Sequence, residues 1–164
     1  MTPEFLEAAL DERPEEAARL MGVELPEDFP RAGAKRFLAM RLKQMREDKR
    51  FEQWCPHVVV LERRMIGHAG YHGPPGVNAT EDETAVEIGY AIDPPFRGRG
   101  HATAAVVELL RRAEERGVRH YSASVSPSND PSLAIVRKLG FVQTGERMDD
   151  EDGLELVFEL ERPG

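Results

Sequence analysis

Cysteine is almost absent from this chain: Cys55 stands alone among 164 residues. A single thiol excludes a disulfide framework and makes a reducing cytoplasm the simplest location. Between Trp54 and Pro56 it has no sequence partner to activate it, so it reads as a small buried hydrophobe before a nucleophile. Long apolar runs are missing as well. No stretch approaches the length of a membrane span, and the N-terminus lacks the basic and apolar regions of a signal peptide, so no membrane partner is expected. Positive charge is scarce. Lys and Arg number 22 against 30 Asp and Glu, a net charge of −8, which argues against nucleic acid and fits cationic partners such as amines. The histidines show no metal-ligand spacing, and there is no internal repeat or low-complexity segment.

What remains is an ordinary soluble composition, 40% hydrophobic and 32% charged, in a length that suits one core and one domain over residues 1–164. Residues 3–21 read as helix with an interruption near Pro14, and 34–49 as a longer helix carrying Phe37, Leu38, Leu42 and Met45 at helical spacing. Strands follow at 57–61, 65–72 and 85–92. The loop at 73–83 is long enough for mobility or for covering a site. Further on, 102–116 reads as helix and 120–125 as strand, and a second helix carries Leu133, Val136 and Leu139. A strand over 142–147, an acidic turn over 149–152 and a last strand over 154–161 complete the pattern.

The most informative stretch is Arg97-Gly98-Arg99-Gly100-His101-Ala102-Thr103, which leads from a strand into a helix. Unpaired N–H groups and the helix dipole meet there, so phosphate or pyrophosphate is the natural occupant. Gly98 and Gly100 allow a tight turn and close approach, and Arg97 and Arg99 can bond phosphate oxygens. The plainer alternative is a helix start flanked by two solvated arginines. A Walker loop is excluded because His101-Ala102 stands where Lys-Ser/Thr is needed, and Thr103 occupies the third glycine position of a dinucleotide fingerprint.

The order strand, R-x-x-G-x-A, helix, strand, N-x-x-S, helix, K-x-G-F resembles the GNAT superfamily of acyl-CoA N-acyltransferases, nearest the branch of ribosomal-protein N-terminal acetyltransferases. The matching residues are Arg97, Gly100 and Ala102, then Asn129, Ser132, Lys138, Gly140 and Phe141. The resemblance implies an α+β fold in α/β/α layers, with helices flanking a mixed, mostly antiparallel sheet. Residues 1–50 would form a helical acceptor-side region and 57–161 the sheet and acetyl-CoA-binding core. Such domains usually begin with a strand, whereas Met1-Thr2-Pro3 leads directly into helix. The first strand is therefore missing, supplied by another segment or lost to a late start, and a homodimer is one assembly this leaves open.

The resemblance also implies acetyl-CoA as donor, its pyrophosphate on the backbone of Arg97, Gly98, Arg99, Gly100, His101, Ala102 and Thr103. The pantetheine arm would pair along the strand ending at Ile92. A backbone N–H near Ile92 would polarise the thioester carbonyl. The attacking amine must lose a proton, and Glu87 is the candidate base, with an outward-facing strand carboxylate as the alternative. Glu83, His68 and His72 are further candidates, the histidines reading first as structural. Many relatives carry a Tyr seven residues after the motif Asn to protonate the leaving thiolate; here that position is Val136. Asn129 and Ser132 become the nearest contacts for sulfur or pantetheine, and both are also good helix caps. Trp54 could line an acceptor pocket or sit in the core. The resulting expectation is an acetyl-CoA-dependent N-acetyltransferase acting on a primary amine of a small molecule or a protein N-terminus by direct attack in a ternary complex. The alternative is a non-catalytic acyl-CoA-binding sensor or assembly module. No metal is called for.

Overall fold

Thr2 and two prolines shape the start of the chain. The structure, a computed structural model, describes residues 1–150 and 153–163. Helix α1 (Pro3–Leu10) opens on Thr2, whose Oγ1 accepts from the Phe5 N–H at 3.3 Å. Pro14 lacks an N–H and can only begin a new helix, so the expected interruption is a full break and α2 runs Pro14–Met21. Helix α3 (Ala32–Glu47) begins two residues before the expected start. The short α4 (Arg50–Gln53) is not visible in the apolar pattern; the Asp48 carboxylate nucleates it by accepting from the Arg50 N–H at 2.9 Å.

The strands are β1 (His57–Leu61), β2 (Arg64–Tyr71), β3 (Val86–Ile92), β4 (His120–Val125), β5 (Val142–Asp149) and β6 (Gly153–Glu161). Helix α5 (His101–Glu114) links β3 to β4, and α6 (Asp130–Lys138) links β4 to β5. The sheet runs β1-β2-β3-β4-β6-β5, antiparallel at every junction except the parallel β3–β4 pair. This is the mixed, mostly antiparallel α+β arrangement expected. Among the described residues no strand precedes α1, so β1 is the edge on that side. Within the expected acidic turn, residues 151 and 152 lie outside the described residues.

Side-chain alternation divides the sheet between two helical layers. Val86, Ile88, Tyr121 and Ala123 pack with Val106, Leu109 and Leu110 of α5 and with Leu133 and Val136 of α6. Trp54 belongs to this core, 7% exposed and edge-on to Tyr71 at 4.9 Å, the second of the two places the sequence allowed it. On the opposite face α3 lies over β2: Phe37 stacks on His68 at 5.4 Å. A second cluster joins α1, α2 and α3 through Phe5, Leu6, Ala17 and Leu38, with Cys55 buried in it. A bridge from Glu24 to Arg64 ties the link after α2 to the start of β2. Among the described residues no helix is long and apolar enough to cross a membrane.

Candidate active site

The sheet opens in its middle. Strands β3 and β4 pair only at Val86–Tyr121 and Glu87–Ser122, and beyond that the two strands part. Glu87 O and the Asp93 N–H bond to β2, so alternation turns the main-chain groups of Tyr90 and Ile92 away from β2 and into the gap. Arg97 Nε donates to Ile92 O at 2.7 Å, which fixes the turn leaving β3.

That turn delivers the chain to the start of α5. Gly98 and Gly100 have φ of 73° and 83°, a left-handed backbone that glycine adopts at least cost. Gly100 is the N-cap and supplies no side-chain oxygen, so no cap engages the first-turn N–H groups of His101, Ala102 and Thr103. They face a cavity of about 500 Å³ whose walls are Tyr90 to Ile92, the turn, the start of α5 and one face of α6. Arg97, Gly98, Gly100, His101, Ala102 and Thr103 line it, as do Ile92, Asn129 and Ser132; Arg99 is exposed and does not. Asn129 caps α6, its Oδ1 accepting from the Ser132 N–H at 3.2 Å. Val136, one turn further along α6, is fully buried in the core and stands outside the cavity. Tyr90 reaches the same wall. Its hydroxyl is buried and makes no hydrogen bond of ordinary geometry, and burial raises its pKa while Ser132 opposes the shift.

On the other face a smaller cavity of about 200 Å³ lies under α3, lined by Phe37, Arg41, His68, His72, Gly89 and Tyr90 among others. Tyr90 is common to both cavities. Arg41 is 5% exposed; it donates to His72 O and to Gln44 Oε1, and its Nε is buried without a hydrogen-bond partner. Desolvation lowers the pKa of His68, with Asp93 opposing. Glu87 sits behind the cavity, 1% exposed, its Oε1 accepting from Ser124 Oγ at 2.7 Å. Arg147 lies 4.0 Å from the same oxygen and is bonded to Glu155 at 2.9 Å. His72 Nδ1 lies 3.4 Å from it.

Of the candidate bases, Glu87 and His72 are thus brought together, His68 lines the same cavity, and Glu83 is exposed and lines neither cavity. No residue of the loop at 73–83 lines either cavity, and its own contacts hold it: Asn78 Nδ2 donates to Asp82 O at 2.7 Å and Ala85 O at 3.0 Å. Tyr90, Arg41 and Phe37 are cavity residues that the sequence does not single out; Phe37 reads there only as part of the apolar face of α3. For Tyr90 the signal was available: it has the same strand parity as Ile92, two residues on.

Residues 2–142 match the family model described as acetyltransferase (GNAT) domain. The Bacillus subtilis (strain 168) protein named "Putative phosphinothricin acetyltransferase YwnH" is 33% identical over 80 residues, covering 49% of this chain and 46% of that protein. The chain thus spans about half the length of the curated relative it matches. The ribosomal-protein-alanine N-acetyltransferase of Brucella melitensis has a similar fold, with TM-score 0.63 and 20% identity over 99% of this chain and 97% of that one. So does yncA of Salmonella typhimurium, solved with its cofactor acetyl-CoA, with TM-score 0.60 and 18% identity over 76% of this chain and 73% of that one. The structural likenesses speak for the fold. The match over residues 2–142 takes in both cavities and stops where the β5–β6 hairpin begins, and the chain belongs to the GNAT family of acetyltransferases.

Proposed function

We propose that the protein is an acetyl-CoA-dependent N-acetyltransferase that acts on a primary amine of a small molecule or a protein N-terminus. One observation carries this reading: two cavities on opposite faces of the sheet share Tyr90 at the gap between β3 and β4. The residues of the larger cavity fit the donor. First-turn N–H groups without a side-chain cap suit the pyrophosphate. The main-chain groups of Tyr90 and Ile92 can pair with the amide-bearing pantetheine arm as an added strand would. Acetyl-CoA supplies an activated acetyl thioester. Ile92 N–H is positioned to stabilise charge on the acyl oxygen, and Asn129 and Ser132 flank the path of the sulfur. Glu87 marks where the acceptor's proton is drawn. With both reactants seated, most of the acceleration comes from proximity and orientation. A thiolate whose pKa is about 8.5 leaves without a strong acid, so Val136 in place of Tyr is no bar to turnover.

Val136 does favour a second reading, acyl-CoA binding without turnover. Titration calorimetry with acetyl-CoA followed by thiol release across a panel of amines separates the two. The panel includes phosphinothricin and a peptide with N-terminal alanine, taken from the relatives' names. The expected result is saturable acetyl-CoA binding, lost in Gly100→Glu, and thiol release with at least one amine. Gly100→Glu puts a side chain on a left-handed backbone and a carboxylate where a pyrophosphate would sit. Binding without thiol release would leave the second reading; a folded protein that does not bind acetyl-CoA would overturn both.

A further inference from the structure

We propose that His72 takes the proton from the acceptor amine and that Glu87 is the positioning residue behind it; this rests on the acetyltransferase reading above. Access separates the two groups. Glu87 is 1% exposed and its Oε1 already accepts from Ser124, so an amine in the smaller cavity cannot touch it. The His72 side chain is 40% exposed and lines that cavity.

The imidazole is also aimed. Its Nδ1 faces Glu87 Oε1 at 3.4 Å, which leaves Nε2 as the free nitrogen. That Nε2 lies over Gly89, so near that a Cβ there would sit 3.0 Å from it. Gly89 precedes Tyr90, the residue common to both cavities, so the free nitrogen stands next to the point where the two cavities meet in the sequence of β3. The backbone is clamped on two sides: the His72 N–H donates to Glu87 O at 2.8 Å, and Arg41 of α3 donates to His72 O.

The charged groups facing His72 come from three elements: Arg41 on α3, Glu87 on β3, and Arg147 and Asp149 on β5. Desolvation lowers the imidazole pKa, with Arg41 and Arg147 adding to the shift and Glu87 and Asp149 opposing it. The ring is therefore neutral at neutral pH and able to accept. The proton account balances. One proton passes from the ammonium to Nε2, and the freed lone pair forms the C–N bond. The C–S bonding pair goes to sulfur, which takes the second proton lost by the amine nitrogen as the amide forms, and His72 returns the first proton to solvent through its exposed edge.

Thiol release is followed against pH with two probes, methylamine, which is charged at neutral pH, and hydroxylamine, which is not. His72→Gln is expected to lose about 100-fold with methylamine and only a few-fold with hydroxylamine, with acetyl-CoA affinity unchanged. Glu87→Gln is expected to lose less, and its acid limb with methylamine moves to lower pH because the carboxylate that favours imidazolium is gone. Equal loss with both probes in His72→Gln would make its role structural, and an inactive Glu87→Gln beside an active His72→Gln would make Glu87 the base; either overturns the proposal. NMR titration of the imidazoles reads the pair without turnover. The His72 resonance, identified by its loss in His72→Gln, titrates below free imidazole and lower still in Glu87→Gln, and an unchanged titration in Glu87→Gln overturns the coupling. A wild type that binds acetyl-CoA yet releases no thiol with any amine fails the acetyltransferase reading itself, a result the titration does not touch.

Discussion

Tyr90 stands where both cavities meet, its hydroxyl beside Ser132 and short of an ordinary hydrogen bond, so the fold gains little from it. Tyr90→Phe is therefore expected to leave the thermal midpoint unchanged or higher, while thiol release from acetyl-CoA falls. A lower midpoint with normal turnover would mean that the hydroxyl serves stability after all. Motif spacing could never have reached the constellation around Glu87, because Ser124 and Arg147 lie 37 and 60 positions away along the chain. Only the sheet register brings them together. The turn from Arg97 to Thr103 was legible for the opposite reason: its chemistry is local, written in consecutive residues at a strand–helix junction.

Elements were more readable than their junctions. Apolar runs and turn signals located the strands among the described residues, although β5 is exposed along most of its length and carries no buried face to impose a period. Helix α4 and the Glu24 bridge escaped, since a four-residue turn and an isolated pairing leave no period to find. The parting of β3 and β4 was equally invisible, being a relation between strands. It has a local consequence for amide exchange. The Asp93 N–H is already committed to β2, whereas those of Tyr90 and Ile92 face the gap. Saturating acetyl-CoA is expected to slow exchange at Tyr90 and Ile92 well beyond any change at Asp93. Uniform slowing along β3 would reflect global stabilisation alone and remove the strand-addition mode.

For the whole molecule, the response to acid is set in part by His57 on the β1 edge. Desolvation first, helped by the Met1 amino group, Arg112 and Arg116, lowers its pKa to about 4 from 6.5, with Glu108 opposing, and its Nε2 is buried without a partner. Between these values the unfolded chain binds a proton that the folded chain refuses, so stability falls as pH drops from 6.5 towards 4 and this contribution is flat below. His57→Gln is expected to lose less stability than wild type between pH 7 and pH 4.5, read as the shift in urea midpoint. An equal shift in both proteins would remove His57 from the account.

The two cavities lie on opposite faces of one sheet and share Tyr90 alone among their lining residues. With donor and acceptor seated as proposed, one in each cavity, neither reactant would have to leave before its counterpart entered, and no acylated enzyme would be needed to carry the group between them. Initial-rate plots at varied concentrations of both reactants are then expected to intersect instead of running parallel. A CoA analogue stripped of its sulfur is likewise expected to compete with one reactant only, because on that seating it fills the cavity the amine does not use.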